Sequence, residues 1–239
     1  MIEAHLKKLR VRDEISPDEE QAIRDLPAQI IEVPADRTVI RHGEEVTNST
    51  LLLDGWMARA KDLRSGQRQL AELHVAGDFT DLHGFTLKRL DHDVISITRC
   101  RIALVPHERL QALTERYPHI ARVYWLMTNM DAAIQREWTL SLGRRTAIAR
   151  MAHLFCELNV RLEISGLAEG GRYEFPLTQV ELSECLGVTP VHVNRTLQEL
   201  RRMSLVELQN RRVTILDMKG LQGVAEFDPA YLYLETQPR

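Results

Sequence analysis

Between Pro118 and Leu142 no glycine and no second proline interrupts the chain, and Gly143 is the first breaker after it. An unbroken stretch of that length predicts one helix, roughly 40 Å long at about 1.5 Å per residue. Inside it Ile120, Val123, Met127, Met130 and Ile134 recur at alternating steps of three and four residues, the spacing of an a/d seam. Tyr124, Trp125, Trp138 and Leu142 broaden the apolar surface. A helix packed on its own subunit shows the same spacing, but one this long outruns a small domain. The pattern predicts a dimerisation helix over residues 118–142, with those five seam residues meeting a twin.

The segments on either side differ in texture. A helix is expected at residues 4–11, and a second after Ser16, where Pro17 suits the first turn and Glu19 completes a capping box. From about residue 28 to 106, short β-branched or alternating runs (29–33, 38–41, 49–53, 69–74, 94–98, 102–105) are separated by Gly43, Gly55, Gly66, Gly77 and Gly84. Short strands punctuated by glycine predict a small β-roll. Beyond Gly143, taken as a hinge, residues 146–162 are amphipathic, and a polar loop over 165–171 leads to a short strand at 173–176. The class is α+β: a β-roll domain with N-terminal helices over 1–117, the 118–142 helix, and a C-terminal domain over 143–239.

Composition excludes several classes. No apolar run approaches the roughly 20 residues of a membrane helix, and residues 1–8 lack the apolar core of a secretory signal. Cys100, Cys156 and Cys185 are odd in number and far apart, which fits a reducing compartment and neither a disulfide framework nor a metal knuckle. The cytoplasm is the expected location, and the Asn48-Ser49-Thr50 sequon is read as coincidence. His74, His83 and His92 lack metal-ligand spacing, so neither metal nor cofactor is expected. Without a P-loop, a Rossmann fingerprint or a catalytic triad, no enzyme is expected either. The net charge of -3 speaks against nucleic acid, but acids cluster early, at Asp13-Glu14 and Asp18-Glu19-Glu20, and arginines late. A near-neutral sum can hide one basic face.

The informative stretch is 178–206. A helix over 179–186 should bury Val180, Leu182 and Leu186, and Gly187 supplies the left-handed residue of a tight turn. Thr189 then caps a second helix beginning at Pro190, with Val193, Leu197 and Leu200 on its inner face. Two short helices joined by a glycine turn describe a helix-turn-helix, whose second helix enters the major groove. Pro190, Val191, His192, Asn194 and Arg195 face outward near its start. Residues 205–208, a tip at Gln209-Asn210-Arg211-Arg212, and 213–216 form a two-stranded wing with a basic tip.

The order β-roll, long helix, hinge, winged helix resembles the Crp/Fnr superfamily, the cyclic-AMP receptor protein and its relatives, over nearly the whole chain. The likeness runs from Ile15-Ser16-Pro17-Asp18-Glu19-Glu20 to about Leu216. Val75-Ala76-Gly77-Asp78-Phe79 is similar to the start of the family's ligand segment, Leu51-Leu52-Leu53-Asp54-Gly55 to its central hairpin, and Leu182 through Arg195 to its helix-turn-helix. The resemblance implies a cyclic-nucleotide-binding-like β-roll and a homodimer that binds double-stranded DNA at a near-palindromic site, with RNA polymerase as a further partner and no membrane. Thr178, Gln179, Thr189, Gln198 and Arg212 join the outward residues and Arg211 as expected DNA contacts. Gly77, Asp78, Phe79, Asp81, Leu82 and Arg89 mark the expected effector pocket.

Departures from the family pattern matter equally. Asp81-Leu82 stands where cyclic-AMP receptors carry a glycine–glutamate pair, and no Arg-Ser follows in residues 88–93, so cyclic AMP is not the expected effector; an unknown small molecule, or none, is. The N-terminus lacks the cysteines of the iron–sulfur branch. Pro190 and Val191 occupy the places of an arginine and a glutamate in well-studied relatives, leaving Arg195 from that set. The alternative is a ligand-binding β-roll, cupin-like or nucleotide-sensing, without DNA activity.

Overall fold

The structure, a computed structural model, describes residues 2–237 and divides into two compact units. Of the described residues, the first unit holds 2–61, 72–132 and 233–237, and the second holds 62–71 and 133–232. The boundary therefore falls inside the long helix, rather than at the 117/118 and 142/143 junctions expected.

Helices α1 (Glu3–Arg10) and α2 (Pro17–Arg24) open the first unit. Ser16 Oγ accepts from the Glu19 amide while the Glu19 carboxylate accepts from the Ser16 amide at 2.9 Å, the reciprocal box expected there. Seven strands follow: β1 (Gln29–Val33), β2 (Arg37–Ile40), β3 (Asn48–Asp54), β4 (Trp56–Asp62), β5 (Arg68–Val75), β6 (Asp93–Ser96) and β7 (Cys100–Pro106), with α3 (Gly84–Leu87) between β5 and β6. They pair as two sheets, β1-β7-β3 and β2-β6-β4-β5. Strand β4 escaped the sequence reading because Trp56 to Ala60 are all buried, so no alternation shows.

The period-two rule sorts β3 and β7 between two cores. Leu52 and Ile102 join Met57 and Val94 of the other sheet, inside the roll. Leu51, Leu53, Ala103 and Val105 pack instead beneath the helices. Those helices are α1, α2, α4 (His107–Arg116) and the start of α5 (Pro118–Arg144).

This second core corrects the expected dimer seam. Ile120 and Val123 are fully buried in their own subunit, Met130 and Ile134 nearly so, and Met127 is half-buried against the same core. Side chains covered this way contribute roughly 1.5–3 kcal/mol each to their own unit and offer no surface to a twin. Ile120, Val123 and Met127 of the three-and-four stripe thus pack on the core of their own domain, the alternative that length had argued against. Helix α5 also continues through Gly143, and the break comes at Arg145 and Thr146. An exposed glycine costs a helix about 1 kcal/mol but does not end it.

In the second unit α6 (Ala147–Ser165) starts at Thr146, whose hydroxyl caps the Ala149 amide at 3.3 Å, and stops at left-handed Gly166. The hairpin β8 (Ala168–Glu169) and β9 (Arg172–Glu174) follows, then α7 (Gln179–Leu186), α8 (Pro190–Arg202), β10 (Val206–Gln209), β11 (Arg212–Ile215), α9 (Met218–Ala225) and a 3-10 turn at Pro229–Leu232. The four strands form one sheet, β10-β11-β9-β8. Buried Glu157 of α6 gathers the Trp138 indole N–H at 3.1 Å, the Arg161 guanidinium at 3.0 Å and the Tyr231 hydroxyl at 2.8 Å. No helix among the described residues is long and apolar enough to cross a membrane.

Candidate nucleic-acid interface

Local chemistry places α7 and α8. Thr178 and Glu181 form a second capping box, with the Glu181 amide donating to Thr178 Oγ1 at 3.2 Å and the Thr178 amide to Glu181 Oε2 at 2.6 Å. Gly187 ends α7 with φ +61°, and a Cβ there would meet Leu142 at 3.1 Å, so both backbone and space favour glycine. Thr189 Oγ1 then accepts from the His192 amide at 3.3 Å, and Pro190 occupies the first helical position.

Arg150 of α6 braces this arrangement. Its guanidinium donates to the carbonyls of Ser141 at 2.9 Å, Leu142 at 3.1 Å, Arg145 at 3.2 Å, and Leu186. One cation thus ties together backbone carbonyls at the ends of α5 and α7. Neither this brace nor its acceptors were foreseen, because the residues are far apart in sequence.

Helix α8 has two distinct faces. Val193, Thr196 and Leu200 are buried, while Pro190, Val191, His192, Asn194, Arg195 and Gln198 are exposed. Thr178, Gln179 and Thr189 are exposed at the two helix starts. Val180 is exposed as well, at 55%, where sequence had placed it in the core. The wing turn takes only two residues, Asn210 (φ +51°) and Arg211 (φ +57°), between paired Gln209 and Arg212. Positive φ at both positions is the primed geometry of a tight hairpin, and it sets Arg211 at the tip. Neither Arg195 nor Arg211 makes a side-chain hydrogen bond or ion pair among the described residues. The result is an exposed helix face beside a basic wing, which suits a polyanion with readable grooves.

The β-roll carries buried charge. Arg59 of β4 is buried, its Nε donating to the Thr80 carbonyl at 2.7 Å and its terminal nitrogens to Glu72 and Asp131, each at 2.8 Å. Burial opposes its charge, but Glu72, Asp131 and Asp81 outweigh that, and its pKa is raised. Asp81 is also buried and accepts from the Thr50 amide at 2.5 Å. Burial drives its carboxyl up to about 6 against the pull of Thr50 and Arg59. Nearby, the His83 and His92 rings lie 5.3 Å apart. Burial first, then Arg59, lowers both, His83 to about 3. Among the described residues no cluster of His, Cys, Asp and Glu is arranged to hold a metal.

Two protein-family models match the chain, a cyclic nucleotide-binding domain over residues 30–117 and a Crp-like helix-turn-helix domain over 149–224. The chain belongs to the Crp/Fnr family. Its similar relatives include the transcriptional activator protein FnrL of Cereibacter sphaeroides, 26% identical across 76% of this chain and 74% of that one. The nitrogen fixation regulation protein FixK of Bradyrhizobium diazoefficiens is 25% identical across 76% of each. Among solved structures, FixK2 from Bradyrhizobium japonicum superposes with a TM-score of 0.75 at 22% identity, covering 82% of this chain and 96% of that chain. This is a transcription regulator of the Crp/Fnr type with a helix-turn-helix DNA-binding domain, and regulators of the family act as dimers.

Within that Crp/Fnr frame the expected effector residues behave differently from one another. Gly77 (φ +92°) lies against the backbone of α1, where a Cβ would meet Ala4 at 2.7 Å. Asp78 pairs with Lys8 at 2.5 Å, and Phe79 packs edge-on to His5 at 5.2 Å. These three residues anchor α1. Leu82 is buried in the helix-side core. Arg89, expected in the effector pocket, is exposed and pairs with Glu45 at 2.6 Å. The arginine that occupies the roll is Arg59, which sequence reading passed over. Its one local signal is a lone charge between Ala58 and Ala60 in a buried strand.

Proposed function

We propose that this regulator binds duplex DNA as a homodimer on a near-palindromic site, laying two copies of α8 in major grooves about one helical turn apart. The observation that carries the reading is the exposed face of α8, with Arg195 unpaired among the described residues, beside the Arg211 wing tip. Thr178, Gln179, Thr189 and Arg212 supply phosphate contacts around it. The dimer surface is the uncovered side of α5, marked by Trp125, which is 68% exposed. Its setting is the cytoplasm, and RNA polymerase is its protein partner.

Cyclic AMP is not the effector. The roll already contains a guanidinium satisfied by its own carboxylates, and Asp81 would face an incoming phosphate. Separating Arg59 from its partners to admit a ligand would cost about 3–5 kcal/mol. The central test is duplex binding at two salt concentrations. Affinity should fall steeply as salt rises, because phosphate neutralisation releases counterions. Failure to bind duplex DNA at low salt would favour a ligand-binding module without DNA activity.

A further inference from the structure

Val191 is 64% exposed on the first turn of α8. Neither it nor Pro190 before it carries a hydrogen-bonding side chain, so at these two positions the turn presents hydrocarbon to a partner, with the exposed imidazole of His192 next in the chain. The valine does nothing visible for its own domain. The inner face of α8 is made by Val193, Thr196 and Leu200, and a β-branched residue is a poorer helix former than alanine. Arg195 follows one helical turn on, about 6 Å along the axis and on the same face.

Resting on the DNA-binding reading above, we propose that Val191 determines specificity by contacting the 5-methyl group of a thymine in the major groove. Sequence is read there through donors, acceptors and a single apolar group, the thymine methyl. A hydrocarbon surface can distinguish bases only through that group. A glutamate at the same place would accept from cytosine N4 instead, so the valine changes which base the first turn selects. With bases about 3.4 Å apart along a strand, the thymine lies within about two base pairs of the guanine facing Arg195.

The test uses full-length protein and a duplex selected by it, with each thymine replaced in turn by deoxyuridine, which pairs identically and lacks the methyl. One position per half-site should weaken wild-type binding about fourfold on replacement, the worth of one buried methyl group. At that position Val191→Ala should bind thymine and deoxyuridine equally; alanine favours the helix, and thermal melting checks that the variant is folded. Equal wild-type affinity for deoxyuridine at every position would overturn this inference alone, as would an undiminished deoxyuridine effect in Val191→Ala. Loss of all sequence preference in the wild type would overturn the DNA-reading function and this inference with it.

Discussion

Arg195 and Arg211 are both exposed arginines, and their surroundings assign them different work. A guanidinium can pair bidentately with guanine O6 and N7, a contact worth about 1–3 kcal/mol in discrimination. Arg195→Ala should therefore erase preference at one base pair per half-site, measured by competition among single-base variants. Arg211→Ala should weaken all sequences alike and make the salt dependence shallower. Unchanged preference in Arg195→Ala would displace α8 from the groove. Asp81 gives a pH-dependent prediction. Its carboxyl is raised to about 6 in the fold, so the proton binds the native state more tightly than the unfolded chain. The stability this brings is present in acid and lost as pH rises through about 4 to 6. Asp81→Asn, which keeps an acceptor for Thr50, should be more stable than wild type by about 1–3 kcal/mol at pH 7.5, and the gap should close towards pH 4 in urea titrations. A less stable variant at pH 7.5 would show that Arg59 needs this charge. The two cases also mark what sequence could reveal. Thr189, Pro190 and Gly187 act on their immediate neighbours, so the position of Arg195 was legible. Arg59 meets Glu72 and Asp131, distant in sequence, and nothing local announced that meeting.

Among the elements, α5 was the easiest to recognise and the easiest to orient wrongly. Its length follows from the absence of breakers, whereas its apolar stripe records burial without saying against what. Ile120 and Val123 complete the core of the first unit. The side left over steps through Ala121, Trp125, Thr128 and Ala132 at the same alternating spacing, half-buried or exposed. This second seam is weakly apolar, and the stronger stripe masked it. Trp125→Glu should yield a folded monomer by light scattering and circular dichroism, with operator binding lost. Ile134→Glu, placing a charge at a site only 4% exposed, should instead lower the melting temperature sharply, since an unpaired buried charge is expensive. A dimeric Trp125→Glu would move the interface off this face. The helix-turn-helix was legible almost residue by residue, because caps and a turn glycine define both its ends. Only Val180 was misassigned, since a lone valine on a short helix gives no period to follow.

For the whole molecule, the net charge of -3 is uninformative about partners, and the order of its domains is far more telling. The β-roll was visible from glycine spacing, but its interior was not, and there the structure places a buried ionic cluster around Arg59. Calorimetry with millimolar cyclic AMP or cyclic GMP should show no heat, and neither nucleotide should raise operator affinity. Saturable micromolar binding would require Arg59 to exchange its partners for a phosphate. The most direct measurement for the central claim is selection of bound sequences from random duplex DNA by the purified full-length protein. It should return two inverted half-sites centred about one helical turn apart, each with a guanine whose selection depends on Arg195. Recovery of no common sequence, or of a single unpaired half-site, would contradict a dimer that reads DNA with α8.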